Sequence, residues 1–401
     1  MKILINACLH IGGGLQVADS FIRELVNYPD NEYIVIISNE VKELLTTEVW
    51  KNRRLEDWQR PQQNKEKQEL EVNLGFPKNF KFINIQYSKP SFVRVFSARY
   101  KPFDGIVEKY KPDVAFTIFG PAYWKPKNIP HICGFAKSQY IYTESPFFKQ
   151  MTKFNFVKLK IKGLIQKYSF RRDAQIYITE NEDVSKKLQK ILTKHKIYTV
   201  TNYYNQVFDD EKLQQEFVLP KFNGITLLTI TSTYPHKNIK IIKPVAEHLI
   251  NKYPNFKFRF VVTIDIEIFG YSKNNLPAWL LPIGKVKIYQ CPDLYRQSDF
   301  MFLPTLLECF SASYPEAMKM QKPILTSDLP FAHGLCGDAA EYFNPISAED
   351  IAEKIYILAN DKEKQKKLIE NGLKQLTTFD TYNQRTEKYL NIIKNTIEDK
   401  Q

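Results

Sequence analysis

Short apolar runs alternate with amphipathic stretches along the whole chain, and polar turns rich in glycine, proline or asparagine separate them. Before residue 204 the apolar runs predict strands over 2–7, 33–38, 80–85, 113–118, 131–135, 175–179 and 196–201. Helical spacing between them predicts helices such as 16–27 and 183–192. The interval 203–222 is polar, carries acids and ends at Leu219-Pro220, so it reads as an interdomain linker. The alternation then restarts, with strands expected over 225–231, 257–263, 286–289, 299–303 and 323–326. Helices are expected over 238–251, 293–297, 313–320, 348–360 and 363–377, and a last helix over 382–396 has the spacing to pack back on the first domain. Strands regularly alternating with helices are the signature of an α/β protein with parallel sheets.

The chain's 401 residues suffice for two domains with separate cores, and its 25% charged and 43% hydrophobic residues are ordinary for a globular protein. No apolar run reaches the length of a membrane-spanning helix. The N-terminus enters a strand at once, so no signal peptide is expected. Five scattered cysteines (Cys8, Cys133, Cys291, Cys309, Cys336) and six dispersed histidines point to reduced thiols in the cytoplasm and to no metal site. The net charge of +13 is densest over 149–172, where lysines and arginines interleave with Phe154, Phe156, Val157, Ile161 and Leu164. That pattern reads as an amphipathic basic helix for an anionic membrane surface, with a merely solvated helix face as the plain alternative. Nucleic acid is not expected as a partner, because no binding module accompanies the charge. A second charged stretch, 51–73, reads as an exposed insertion.

Three loops that follow predicted strands carry the candidate chemistry, since ligands of doubly wound sheets bind at strand carboxyl ends. The first is Gly12-Gly13-Gly14, whose spacing is not the G-x-G-x-x-G of dinucleotide enzymes; a tight turn is the plain alternative. The second runs Ser232-Thr233-Tyr234-Pro235-His236-Lys237-Asn238, with Lys237 expected to open a helix where a cation can neutralise phosphate. The third holds Glu308 and Glu316 with seven residues between them, around Cys309, Phe310 and Ser311. Two carboxylates beside a helix start suggest a ligand with hydroxyls next to a phosphate, such as a sugar nucleotide. Ser313-x-x-Glu316 is also a capping box in form, which would make Glu316 a local helix cap.

From about residue 225 to 377 the chain resembles the nucleotide-sugar domain of retaining GT-B glycosyltransferases, in the large E-x7-E family of group 1 glycosyl transferases. The resemblance rests on Lys237-Asn238, Phe302-Leu303-Pro304-Thr305, Glu308, Glu316-Ala317-Met318, 322–327, Gly337-Asp338-Ala339-Ala340 and Asn344-Pro345. It implies a GT-B fold: two doubly wound Rossmann-like domains facing each other across a cleft. Residues 1–204 would bind the acceptor, 205–377 the donor, and 378–401 would form the returning helix. It further implies that Lys237 binds the donor diphosphate, Glu308 the hydroxyls of the transferred sugar and Glu316 those of the ribose. The backbone of Phe310 and Ser311 would meet phosphate, and that of Gly13 and Gly14 would approach the reacting centre.

Some positions depart from the family pattern. The glycine and arginine usual before the lysine are replaced in the region of Thr231 and Ser232, so Ser232 is expected to donate a hydrogen bond and Lys237 to carry more of the charge. The usual Glu-Gly-Phe-Gly reads Glu308-Cys309-Phe310-Ser311. No histidine occupies the family's place after the fourth strand, and His131 is expected only to start its strand.

The expectation is a retaining, metal-independent, hexosyltransferase-like enzyme that needs no cofactor beyond its nucleotide-sugar co-substrate. Its acceptor would be a glycan or lipid-linked sugar in surface polysaccharide or glycoconjugate synthesis. It would be cytoplasmic and peripheral to the membrane. The alternatives are a non-catalytic sugar-nucleotide- or glycan-binding relative and a GT-B-fold nucleotide-sugar epimerase.

Overall fold

The structure, a computed structural model, describes residues 1–10, 12–46, 70–86, 90–272 and 275–399. The chain divides into two units: residues 1–137, 152–202 and 380–401 form one, and 138–151 with 203–379 the other. Of the insertion expected over 51–73, residues 51–69 lie outside the described residues, as do 87–89.

The first unit is built on β1 (Lys2–Ala7), β2 (Glu32–Ile37), β3 (Leu70–Val72), β4 (Phe80–Asn84), β5 (Val114–Thr117), β6 (His131–Gly134), β7 (Ile176–Thr179) and β8 (Lys196–Thr199). They form one sheet in the order β3-β4-β2-β1-β5-β6-β7-β8. Every pair is parallel except β3 with β4, an antiparallel edge. The inner strands are short and buried on both sides, which requires side chains of alternating direction to meet apolar partners above and below, whereas the edge strand β8 is partly exposed. Ile3, Ile5 and Ala7 face Val17, Phe21 and Ile22 of helix Gly13–Glu24. Leu4 turns the other way, into a cluster with Phe103, Ile106 and Trp124. The order reverses at β1 and β5, so the loops after these strands sit at this sheet's topological switch point.

The last helix, Tyr382–Glu398, belongs to this unit and packs Tyr389, Leu390 and Ile393 beside Phe21 and Phe116. Its first turn has a true capping box: Thr381 Oγ1 accepts from the Gln384 amide (3.3 Å), and Gln384 Oε1 accepts from the Thr381 amide (3.0 Å). Arg385 is fully buried beside it and donates to Asn202 and to Ser20 Oγ (2.8 Å). Asn202 in turn donates to Glu180 (3.0 Å), so one guanidinium joins three distant segments of the chain.

The second unit carries β9 (Ile225–Thr229), β10 (Phe258–Val262), β11 (Leu280–Pro282), β12 (Phe300–Leu303), β13 (Ile324–Ser327) and β14 (Ala340–Phe343). The order is β11-β10-β9-β12-β13-β14 and all pairs are parallel. Helices Ile242–Lys252 and Ala348–Asn360 cover one face through Val245, Leu249, Ile351 and Ile355. Here the switch point lies between β9 and β12, whose backbones are further tied by Thr229 Oγ1 donating to the Phe302 carbonyl (2.7 Å).

Several sequence expectations need correction. Residues 286–289 are no strand: Ile288–Gln290 is a 3-10 turn, closed by Gln290 accepting from the Lys287 amide (2.9 Å). The Tyr289 carbonyl is taken by the Gln215 amide (2.8 Å), and the sheet edge is instead β11, six residues upstream of 286. The interval 203–222 is not a bare linker. It forms turns Gln206–Phe208 and Glu211–Leu213, and it buries Val207, Phe208 and Leu213 within the second unit. The basic stretch 149–172 is split: Lys149 ends the turn Pro146–Gln150, and a 21-residue helix, Lys153–Asp173, begins after the Thr152 cap. Residues 92–97 form a short helix, Phe92–Ser97, capped by Ser91 accepting from the Arg94 amide (3.2 Å).

Arg385→Ala would remove the buried donor to Asn202 and Ser20, and leaving a buried polar group without its partner costs about 1–3 kcal/mol. A fall of that order in chemical-denaturation stability is expected, with loss of amide protection in the last helix; a change within experimental error would show that Arg385 is dispensable.

Candidate functional site

The carboxyl ends of β9 and β12 are neighbours, and each is followed by a loop of candidate residues. After β9, Pro235–Lys237 is a single 3-10 turn, so Lys237 ends a turn and does not open a helix. Asn238 follows in the left-handed region (φ 56°), a conformation asparagine tolerates, and its amide donates to the Pro345 carbonyl (2.9 Å). This fixes the turn and aims Lys237 at the β12 loop.

There Lys237 Nζ forms an ion pair with Glu308 Oε1. The same oxygen accepts from Thr305 Oγ1 (3.0 Å), so two groups orient one carboxylate. The turn and the loop are also joined through the backbone, where the Leu306 amide donates to the His236 carbonyl (2.7 Å). Ser145 Oγ donates to the Leu306 carbonyl (2.6 Å), which brings the 138–151 segment of the same unit onto the loop. His236 stacks on Tyr234 and meets Phe147 edge-on, and burial holds its pKa below the ordinary value.

Glu316 is placed differently. Helix Ser313–Lys319 starts at Ala312 with no side-chain cap, and the Glu316 amide donates to the Ala312 carbonyl (3.0 Å). The capping box read from Ser313-x-x-Glu316 is therefore absent, and the glutamate has another partner. Its Oε2 accepts from Tyr295 Oη (3.0 Å), supplied by helix Cys291–Arg296. The residue is 5% exposed, and burial raises its pKa to about 7, partly offset by the tyrosine hydrogen bond. A carboxyl group this costly to desolvate holds its proton to higher pH than an exposed one.

The other expected residues fall around this pair. Cys309 and Ser311 are buried in the loop between the two glutamates, and Phe310 is half-buried with its ring edge-on to Phe379. Ser232 lies half-buried after β9, its carbonyl accepting from Thr231 Oγ1 (3.2 Å). Gly13 and Gly14 belong to the first unit, in the first turn of the helix after β1. Gly12 there adopts φ 81°, which favours glycine, and a side-chain carbon on Gly13 would meet nothing within 4 Å. His131 is a fully buried strand residue: its ring nitrogens meet Thr117 Oγ1 (2.8 Å) and the Asp173 carbonyl (2.7 Å), and burial lowers its pKa to about 4. Thr305, Tyr295, His236 and Ser145 were not anticipated. Thr305 stood beside Glu308 in sequence, whereas Tyr295 and Ser145 are brought in only by tertiary folding.

Because Glu316 has a raised pKa when folded, its neutral form is favoured by folding. That contribution is complete below the ordinary carboxyl pKa of 4.5, and it is lost as pH rises toward about 7. Glu316→Gln keeps an acceptor for Tyr295 but does not ionise. The variant is expected to gain about 3 kcal/mol relative to wild type between pH 4.5 and pH 8, measured by urea unfolding. A pH-independent difference would contradict the buried-acid placement.

Residues 209–375 match the family model of "Glycosyl transferases group 1". Comparison with curated protein sequences finds no match. Among solved structures, a glycosyltransferase from Rickettsia africae ESF-5 aligns over 99% of this chain and 98% of its own, at 16% identity and TM-score 0.64. Sucrose-phosphate synthase from Thermosynechococcus elongatus aligns over the full length of both chains, at 11% identity and TM-score 0.66. Anabaena HepE, solved in complex with UDP-glucose, aligns over 98% of this chain and 99% of its own, at 14% identity and TM-score 0.64. At these identities the structural likenesses speak for the fold alone, two Rossmann-like units of the GT-B type, while the family match covers the unit that carries Lys237, Glu308 and Glu316. Residues 209–375 thus match the group 1 glycosyl transferases over the unit that carries the candidate donor residues, and the chain is a glycosyltransferase that takes its sugar from a nucleotide sugar.

Proposed function

We propose that this chain transfers a hexose-type sugar from a UDP-sugar, with retention of configuration, to a hydroxyl of a glycan or lipid-linked acceptor. The product would belong to surface polysaccharide or glycoconjugate synthesis, and the first unit would bind the acceptor. The observation that carries the reading is the pairing of Lys237 with Glu308 at the β9–β12 switch point, with the buried Glu316 following in the same loop and helix. The UDP in the Anabaena HepE complex supports the choice of nucleotide.

On this reading the donor diphosphate draws Lys237 away from Glu308. Lys237 then stabilises the negative charge that grows on the diphosphate as the bond between it and the sugar C1 breaks. The released Glu308 carboxylate, still held by Thr305, accepts hydrogen bonds from the sugar hydroxyls. The acceptor oxygen attacks C1 from the side the diphosphate leaves, and its proton passes to the departing phosphate oxygen, so charge and atoms balance without a metal. Ser232 and the backbone of Cys309, Phe310 and Ser311 would complete the phosphate cradle, with Asn238 fixing the Lys237 turn. Glu316 would take the ribose diol, replacing its proton by two hydroxyl donors.

A thermal-shift screen of nucleotides and nucleotide sugars tests the donor assignment. A ligand at a hundred times its Kd stabilises by about 2.7 kcal/mol, so a UDP-sugar is expected to raise the melting temperature by a few degrees for wild type and not for Lys237→Ala. Folded protein that responds to none of them would favour a non-catalytic relative. If the ribose displaces the Glu316 proton, UDP affinity should also rise between pH 6 and pH 8 and become flat in Glu316→Gln. Equal pH dependence in both proteins would remove the ribose role.

A further inference from the structure

The long helix Lys153–Asp173 of the first unit is turned against its own composition. It buries Gly163, Gln166, Ser169, Phe170 and Asp173, mostly small or polar residues. Meanwhile Phe154 is 77% and Leu164 71% exposed, and Val157, Ile161 and Tyr168 are exposed with them. At 100° per residue these five fall within an arc of about 80°. Lys153, Lys160, Lys167 and Arg171 border one side of this stripe, and Lys158 and Lys162 the other. The helix contains a single acid, Asp173, already paired with Arg172 (2.6 Å).

A second helix widens the surface. Phe92–Ser97 exposes Phe92 (75%), Val93 (73%) and Phe96. Arg172 joins it to the long helix, donating to the carbonyls of Val95 (2.8 Å) and Phe96 (2.9 Å) at the short helix's end. The Phe96 ring meets Tyr168 at 6.4 Å and Phe92 at 4.5 Å between centroids, so the apolar residues of both helices adjoin. No helix among the described residues is long and apolar enough to cross a membrane, so this face is suited to lying on one.

We infer that these two helices form a docking surface for an anionic lipid bilayer, with the apolar ridge entering the interface and the bordering lysines contacting lipid phosphates. The inference deepens the proposed function, since it rests on the reading of a lipid-linked acceptor, but its test does not involve the nucleotide. Charge selects the occupant. A second copy of the chain would bring two lysine-bordered stripes face to face, and like charges there repel. A nucleic acid would neutralise the lysines but leave the phenylalanines and aliphatic side chains in water. Only an anionic apolar interface satisfies both sets of residues, the lysine stems reaching outward to headgroups while the ridge is buried.

Flotation of the full chain with phosphatidylcholine vesicles, with and without phosphatidylglycerol, tests this in low salt and without nucleotide. Wild type is expected to bind only the anionic vesicles. Each surface lysine contributes about a factor of five, so Lys153→Gln with Lys160→Gln and Lys167→Gln should weaken binding about a hundredfold. Phe154→Ser with Leu164→Ser, and Phe92→Ser with Val93→Ser, should each weaken it at least about tenfold. All these side chains are exposed except the half-buried Lys167, and an unchanged melting temperature verifies that each variant folds. Absence of wild-type binding, equal binding to uncharged vesicles, or variants that bind like wild type would overturn the inference. So would lipid-free self-association that Phe154→Ser with Leu164→Ser abolishes, which would assign the face to a second copy. The nucleotide thermal shift is read separately, so failure here leaves the donor site standing, and the reverse holds too.

Discussion

Holding two carboxylates out of water at one edge of a parallel sheet is the constraint around which the second unit is organised. Glu308 is 8% and Glu316 5% exposed, and neither could remain there without a dedicated partner. The unit answers the two needs differently. Glu308 receives a cation and a hydroxyl, from Lys237 and Thr305. Among the described residues Glu316 receives a phenol alone, from Tyr295, and burial makes it keep its proton to higher pH. One acid is thus paired and oriented by its neighbours, while burial makes the other hold its proton to higher pH.

The sheet order makes this arrangement available. Because β12 returns beside β9 after the chain has run out to β11, the loops after β9 and β12 open at adjacent strand ends with no crossover above them. The Leu306 amide bond to His236, the Thr305 bond to Glu308 and the Asn238 bond to Pro345 then lock both loops by backbone and short side chains. Lys237 is left as the long, movable group in the cluster, which suits a residue proposed to change partner when diphosphate arrives.

Much of this was legible in the sequence. The strand runs expected over 299–303 and 225–231, the spacing of Glu308 and Glu316, and the glycine run after the first strand all pointed to sheet edges, because buried parallel strands must be apolar and their carboxyl ends must stop, although β9 stops two residues short of 231. What escaped had tertiary causes. Lys285-Val286-Lys287-Ile288 alternates like a strand, yet its neighbourhood is occupied by 206–215, which local pattern cannot reveal. Ser313-x-x-Glu316 has the form of a cap, but a buried phenol 21 residues upstream outcompetes the helix start for the carboxylate. The helix 153–173 was visible as basic and apolar, whereas the outward turn of Phe154, Val157, Ile161 and Leu164 depends on which face the fold buries. Residues 92–97, for which no helix was expected, form one whose Phe92 and Val93 adjoin that ridge.

The most direct measurement is a crystal structure of the protein soaked with UDP. The expected density places the diphosphate on Lys237, with its Nζ withdrawn from Glu308, and the ribose hydroxyls on Glu316. Nucleotide bound elsewhere on the chain, or bound while the Lys237–Glu308 pair and the Tyr295–Glu316 bond stay as they are, would contradict the donor site argued from these residues.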